Sequence, residues 1–251
     1  MFKNALIISD NVLLCKEFFR LIQKKKIDDT TFTFSISPFS DLSTFIVSDS
    51  VDVKVFDLKS QEDINQIVAQ FDIVFSIHCK QIFPGELVSS VKCINVHPGY
   101  NPINRGWYPQ VFSILYDLPI GATIHEIDSK LDHGNIIART FVTKEAFDTS
   151  ETLYQKIVAK EMELIEINLE AILENNYQTI VPENEGNLFI KKDFNAQLEL
   201  NLQEKLSMAD LIDKLRALTH GNFNNAYFID PKSGKKIYVG ISLKPENDDK
   251  R

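Results

Sequence analysis

What this chain has little of narrows its class before any motif is read. Cysteine occurs only three times in 251 residues, at Cys15, Cys79 and Cys93. An odd number without metal-ligand spacing argues against a disulfide framework or a zinc site and predicts reduced thiols in a cytoplasmic protein. Long apolar runs are missing too: Met1 to Ser9 carries one lysine and a short apolar run that passes at once into a polar stretch, too short for a signal sequence or a membrane span. A basic surplus is absent. The formal charge is −8 and is spread along the chain, so neither nucleic acid nor an anionic membrane is expected as the partner, and an anionic ligand would need a local basic pocket. Glycine is absent from the turn after the first apolar run, Ser9, Asp10, Asn11; the missing G-x-G-x-x-G phosphate cradle argues against a dinucleotide dehydrogenase.

What is present is the composition of an ordinary globular protein, 44% hydrophobic and 25% charged, which removes disordered and collagen-like classes. The first third alternates short apolar runs with helical patterns, the arrangement of an α/β, Rossmann-like, doubly wound and mostly parallel sheet. Strands are predicted over Ala5 to Ser9, Thr31 to Ile36, Val51 to Phe56, Ile73 to Ile77, Val91 to Val96, Gly121 to Ile127 and Ile136 to Val142. Helices are predicted over Asn11 to Ile22, Gln61 to Phe71 and Thr149 to Asn175, the last opened by an Asp148/Glu151 capping pair. A catalytic domain over 1–182 is followed by a smaller α+β unit over 183–251, with a helix at Met208 to Leu218 and a hairpin over Ala226 to Ile241 turning at Asp230 to Gly234. The run Ile237, Tyr238, Val239, Ile241 alternates poorly and could cover a second copy, which predicts a homodimer.

In open parallel sheets ligands sit beyond the carboxyl ends of strands, which places Ser76 to Lys80 and the His97 turn at a site. Asn95 and His97 lie two apart on a strand end and face one side. An amide that stabilises an oxyanion beside an imidazole that handles protons is a kit for acyl transfer; a structural histidine is the alternative. Asp132, in a polar loop between two strands, either pairs with His97 or caps its own turn.

The run from Asn95 to Gln110, followed by Gly121 to Ile137, resembles the folate-dependent formyltransferases, which share an Asn, a His two residues on, and an Asp in a loop of the form Leu131, Asp132, His133, Gly134. The flanking His78 to Pro84 and Asn101 to Trp107 are similar to the nucleotide-sugar N-formyltransferase branch. That resemblance implies transfer of a formyl group from the co-substrate 10-formyltetrahydrofolate, without a metal, to the 3- or 4-amino group of a dTDP-linked dideoxy sugar for O-antigen or other surface polysaccharide. It implies that Asn95 polarises the formyl carbonyl and that His97 acts as general base or charged stabiliser, oriented by Asp132. Ser76, Ile77, His78, Ile127, Asp128 and Leu131 would hold the folate.

Lys80 and Arg105 would neutralise the pyrophosphate. Trp107, the only tryptophan, would stack on sugar or pterin, or pack its loop against the core. Arg216, Phe223, Asn225 and Tyr227 would form a platform for the base, or be hairpin core. His125 and His133 are expected as structural neighbours. Two rivals remain: formylation of another amine, on methionyl-tRNA or a ribonucleotide, and a non-catalytic nucleotide-binding protein. The acidic charge opposes tRNA, and the C-terminal unit together with the glycine-free first turn departs from glycinamide ribonucleotide enzymes.

Overall fold

The computed structural model describes residues 1–246; the last five residues of the expected C-terminal unit lie outside them. The elements, in chain order, are β1 (Asn4–Ile8), α1 (Val12–Lys25), β2 (Thr31–Ile36), β3 (Val53–Val55), α2 (Gln61–Gln70), β4 (Ile73–Ile77), α3 (Gly85–Ser90), β5 (Lys92–His97), β6 (Arg105–Gly106), α4 (Pro109–Leu115), β7 (Gly121–Glu126), β8 (Ile136–Phe141), α5 (Ser150–Leu173), β9 (Leu188–Phe189), α6 (Lys191–Asn195), α7 (Met208–Leu218), β10 (Tyr227–Ile229) and β11 (Lys236–Tyr238).

A seven-stranded sheet runs β3-β2-β1-β4-β5-β7-β8. The first five strands are parallel, whereas β7 runs antiparallel to β5 and β8 antiparallel to β7. Strand order reverses between β1 and β4, where diverging loops open a crevice. All five residues of β4 are buried, as a strand covered on both faces requires. Alternation sorts the core: Ile7, Phe75, Ile94 and Val96 pack on one face with α1 and α5, while Leu6, Val74 and Cys93 pack on the other with Ile64, Ile67 and Leu87 of α2 and α3. Cys93, Asn95 and His97 share this second face. Cys93 is covered, and the two polar residues continue beyond it.

Local chemistry sets the helix starts. Asn11 Oδ1 accepts the Leu13 and Leu14 N–H groups, Ser60 accepts from Asp63 and Ser207 from Asp210; each cap contributes about 1 kcal/mol. The expected Asp148/Glu151 pair is not the cap of α5. Thr149 and Thr152 form the reciprocal box, and Asp148, fully buried, instead accepts from Lys156 and from the Glu145 N–H. Short helices α3 and α4 escaped sequence periodicity because too few turns repeat. The C-terminal unit rests on the main body: Ala217, Leu218 and Ala226 join the same core as Leu153 and Phe112. Its hairpin turns as expected, with Gly234 at φ +69° and Asp230 accepting from Lys232 and Ser233.

Candidate active site

A cleft of about 590 Å³ opens at the carboxyl end of the central strands, a size suited to small organic ligands. Asn95, His97 and Asp132 converge in it. Asn95 Nδ2 donates to Asp132 Oδ1 at 2.9 Å, and His97 Nδ1 lies 3.5 Å from Asp132 Oδ2, ion-pair rather than hydrogen-bond distance. The other oxygen contact is rigid: Gly106 N–H donates to Asp132 Oδ2 at 3.0 Å. Asp132 sits at φ +46°, a left-handed conformation costly for a residue other than glycine. Two hydrogen bonds keep it there, the Gly106 N–H on its carboxylate and the Asn101 side-chain Nδ2 on its backbone carbonyl.

Hydrogen-bond partners assign the tautomers. His97 Nε2 lies 2.9 Å from the Asn104 carbonyl, which can only accept, so Nε2 carries hydrogen and Nδ1 is the nitrogen left facing Asp132. His125, expected as a bystander, belongs to the cluster. Its register places it opposite Asn95 across β5 and β7, Nδ1 donates to the Glu126 carbonyl, and Nε2 lies 3.2 Å from Asn95 Nδ2 and 3.7 Å from Asp132. Only strand pairing could have revealed this, since 30 residues separate the two. Burial alone would push the Asp132 carboxyl up; the neighbouring imidazoles of His97 and His125 and the Gly106 N–H outweigh it and hold the group well below the usual carboxylate range.

Of the residues expected to touch ligands, Ser76, His78, Lys80, Trp107, Ile127, Asp128, Leu131, Phe223 and Asn225 do line the cleft. Ile77 does not; its side chain is fully buried in the core with Phe75. The phosphate role expected of Arg105 meets a guanidinium already spent: it is buried and donates to the Leu131 carbonyl and to the carbonyl and carboxylate of Glu185. Arg216 likewise donates to Asp213 and to the carbonyls of Glu145 and Asp148, fastening α7 to the start of α5. Tyr227 packs edge-on against Tyr238 in the hairpin, outside the cleft. The two arginines hold backbone carbonyls of distant segments, a role that sequence alone could not tell from a ligand contact.

The far wall was not anticipated. Tyr154, Ser150 and His220 line it; His220 Nδ1 lies 3.0 Å from Ser150 Oγ, and burial holds its imidazole below the ordinary range. Among the described residues no cluster of His, Cys, Asp or Glu could hold a metal ion, and no helix is long and apolar enough to cross a membrane.

A mixed sheet with an amide, an imidazole and a carboxylate gathered at its carboxyl edge defines an α/β acyl-transfer enzyme. Residues 42–168 match the formyl transferase family and residues 193–245 the N-formyltransferase dimerization C-terminal domain. The chain is 46% identical over 185 residues to the dTDP-4-amino-4,6-dideoxyglucose formyltransferase of Mycobacterium tuberculosis, covering 74% of this chain and 79% of that one. A 4-N formyltransferase from Francisella tularensis superposes with a TM-score of 0.91 at 39% identity, over 97% of this chain and 98% of that chain. A sugar N-formyltransferase from Shewanella sp FDAARGOS_354 gives 0.92 at 38% identity, over 98% and 99%. The chain therefore belongs to the formyltransferase family.

Proposed function

We propose that this chain transfers the formyl group of 10-formyltetrahydrofolate to the 4-amino group of a dTDP-linked 4-amino-4,6-dideoxy sugar. The observation that carries this reading is the convergence of Asn95, His97 and Asp132 in one cleft of a chain 46% identical to an enzyme named for that substrate. The 4-N designation of the Francisella relative favours carbon four over carbon three. The folate lies against Ile127, Asp128 and Leu131, and the nucleotide sugar against Lys80, Phe223 and Asn225. Residues 183–251 act as the substrate-binding and dimerising unit, and Ile237 and Tyr238, half exposed on the hairpin, are offered to a second copy.

The chemistry follows from the side chains. A neutral amine attacks the formyl carbon, a carbon–nitrogen bond forms, and negative charge develops on the formyl oxygen. Asn95 supplies the donor for that oxygen. Its two N–H groups are directed at Asp132 and His125; the His125 contact is the longer, 3.2 Å against 2.9 Å, and is the one an incoming oxygen replaces. The proton lost from the amine passes to His97 Nδ1, where Asp132 stabilises the imidazolium, and is handed to the folate nitrogen as its bond to the formyl carbon breaks and the oxyanion re-forms the carbonyl. Alignment and electrostatics carry the reaction, because the formyl group arrives activated.

Mass spectrometry of the purified protein with 10-formyltetrahydrofolate and dTDP-4-amino-4,6-dideoxyglucose tests this, beside the 3-amino isomer and a His97→Asn control. A gain of one formyl group on the 4-amino sugar, lost in the variant, is expected. Formylation of the 3-amino isomer alone, or of neither sugar, refutes the reading.

A further inference from the structure

One wall of the cleft is the loop that follows β4, residues 78–84, and a side-chain amide that the reaction above leaves unused ties this loop to a distant segment. Gln81 Oε1 accepts the Leu58 N–H at 2.9 Å, and Gln81 Nε2 donates to the Phe56 carbonyl at 2.8 Å. A backbone N–H can only donate and a carbonyl can only accept, so both ends of the amide are assigned whatever the protonation of any neighbour. The amide thus takes the place of a peptide unit beside residues 56–58. Phe56 and Leu58 are buried, and a buried segment must pair its backbone groups. The Phe56 N–H goes to the Ile36 carbonyl and the Asp57 N–H to Asp63. For the Phe56 carbonyl and the Leu58 N–H, Gln81 is the partner, and no other serves them among the described residues.

The loop has few other fixings. Asp10 holds its near end, accepting the Lys80 N–H at 2.6 Å and donating its own N–H to the His78 carbonyl. The Gln81 N–H meets only the Cys79 sulfur at 3.4 Å, a weak acceptor. Neither Ile82 nor Phe83 makes a backbone hydrogen bond among the described residues. Past Lys80 the Gln81 side chain is therefore the polar tie that sets where this stretch lies. Gln81, Ile82 and Phe83 all line the cleft. Phe83 is buried in the cluster that contains Phe56 and Leu58, and Ile127 packs against that same cluster. Phe83 thereby extends the wall on which Ile127 holds the folate.

We propose that Gln81 is a positioning residue for the folate co-substrate, holding residues 81–83 in the place that folate binding requires by tying them to Phe56 and Leu58. The proposal rests on the placement of the folate against Ile127. Calorimetric titration with 5-formyltetrahydrofolate, beside dTDP as the second ligand, tests it in wild type, Gln81→Leu and Gln81→Glu. Gln81→Leu removes both bonds with a side chain of similar size. Gln81→Glu keeps an acceptor for the Leu58 N–H and sets its other oxygen against the Phe56 carbonyl, so the tie is broken at one end. A loop that is out of place about nine-tenths of the time weakens apparent folate binding roughly tenfold. That loss is expected in both variants, with dTDP affinity unchanged. In turnover, KM for 10-formyltetrahydrofolate rises by the same factor, and saturating folate restores kcat. Hydrogen exchange locates the cause: peptides covering 56–58 and 78–84 exchange faster in the variants, while β1 and β5 keep their protection. Unchanged folate affinity in both variants overturns the proposal. So does equal loss of both ligands, or lost protection in β1 and β5, which would make Gln81 a support of the whole fold. Failure of wild type to bind 5-formyltetrahydrofolate would instead overturn the placement of the folate, and this proposal with it.

Discussion

Gly99 leaves room for the imidazole of His97: a Cβ at that position would lie 2.5 Å from His97 Nε2 and 2.8 Å from the Asn104 carbonyl that the ring donates to. One absent methyl group therefore holds a ring nitrogen, its acceptor and the turn after β5 in register. Gly99→Ala is expected to shift the ring away from Asp132 and lower kcat by about 100-fold, the cost of an ångström-scale misplacement at a reacting centre. Steady-state rates beside a thermal melt check this; full activity in the variant would show that the ring does not need its present place.

Asp132→Asn should lower kcat by about 10²- to 10⁴-fold, the range for removing a group that takes part in proton transfer. The same carboxylate makes stability depend on pH. Its folded value is held below the ordinary one, so the stabilisation is present above the unfolded value of about 4 and is lost as pH falls through the folded value. Denaturant unfolding between neutral pH and pH 3 should show wild type losing stability with acid more steeply than Asp132→Asn. Parallel curves would mean that the imidazoles do not sense the charge.

Lys80 and Arg105, alike in sequence as basic residues beside the site, should separate in the laboratory. Arg105→Gln abandons the Leu131 and Glu185 carbonyls and should cost about 1–3 kcal/mol of stability, while the increase in melting temperature that dTDP produces is retained. Lys80→Ala should keep the melting temperature and diminish that increase. The opposite pattern would return Arg105 to the phosphate.

All three thiols should be inert in the folded protein. Burial pushes Cys15, Cys79 and Cys93 up to about 12, leaving little thiolate to react at pH 8. A chromogenic disulfide reagent should label none in native buffer and three in denaturant; rapid native labelling of Cys79, which borders the cleft, would show that its cover opens.

Much of this was legible from the order of residues. Apolar runs of strand length placed β1 and β4 within a residue of their observed bounds, because a strand buried on both faces must be almost wholly apolar. The separation of Asn95 and His97 by two residues put them on one face by the period of the strand alone, and Asp132 could be paired with them through a resemblance confined to short motifs. Tertiary structure decided the rest. His125 joined the centre because β7 turns antiparallel to β5 and brings position 125 opposite 95. Arg105 and Arg216 are held by carbonyls from distant segments, contacts invisible in a linear order. The hydrogen-bonded chain of Asn11, Tyr154, His78 and Glu161 draws its members from the turn into α1, the end of β4 and the middle of α5. Periodicity determines which face a residue occupies; only packing determines which other residues meet it there.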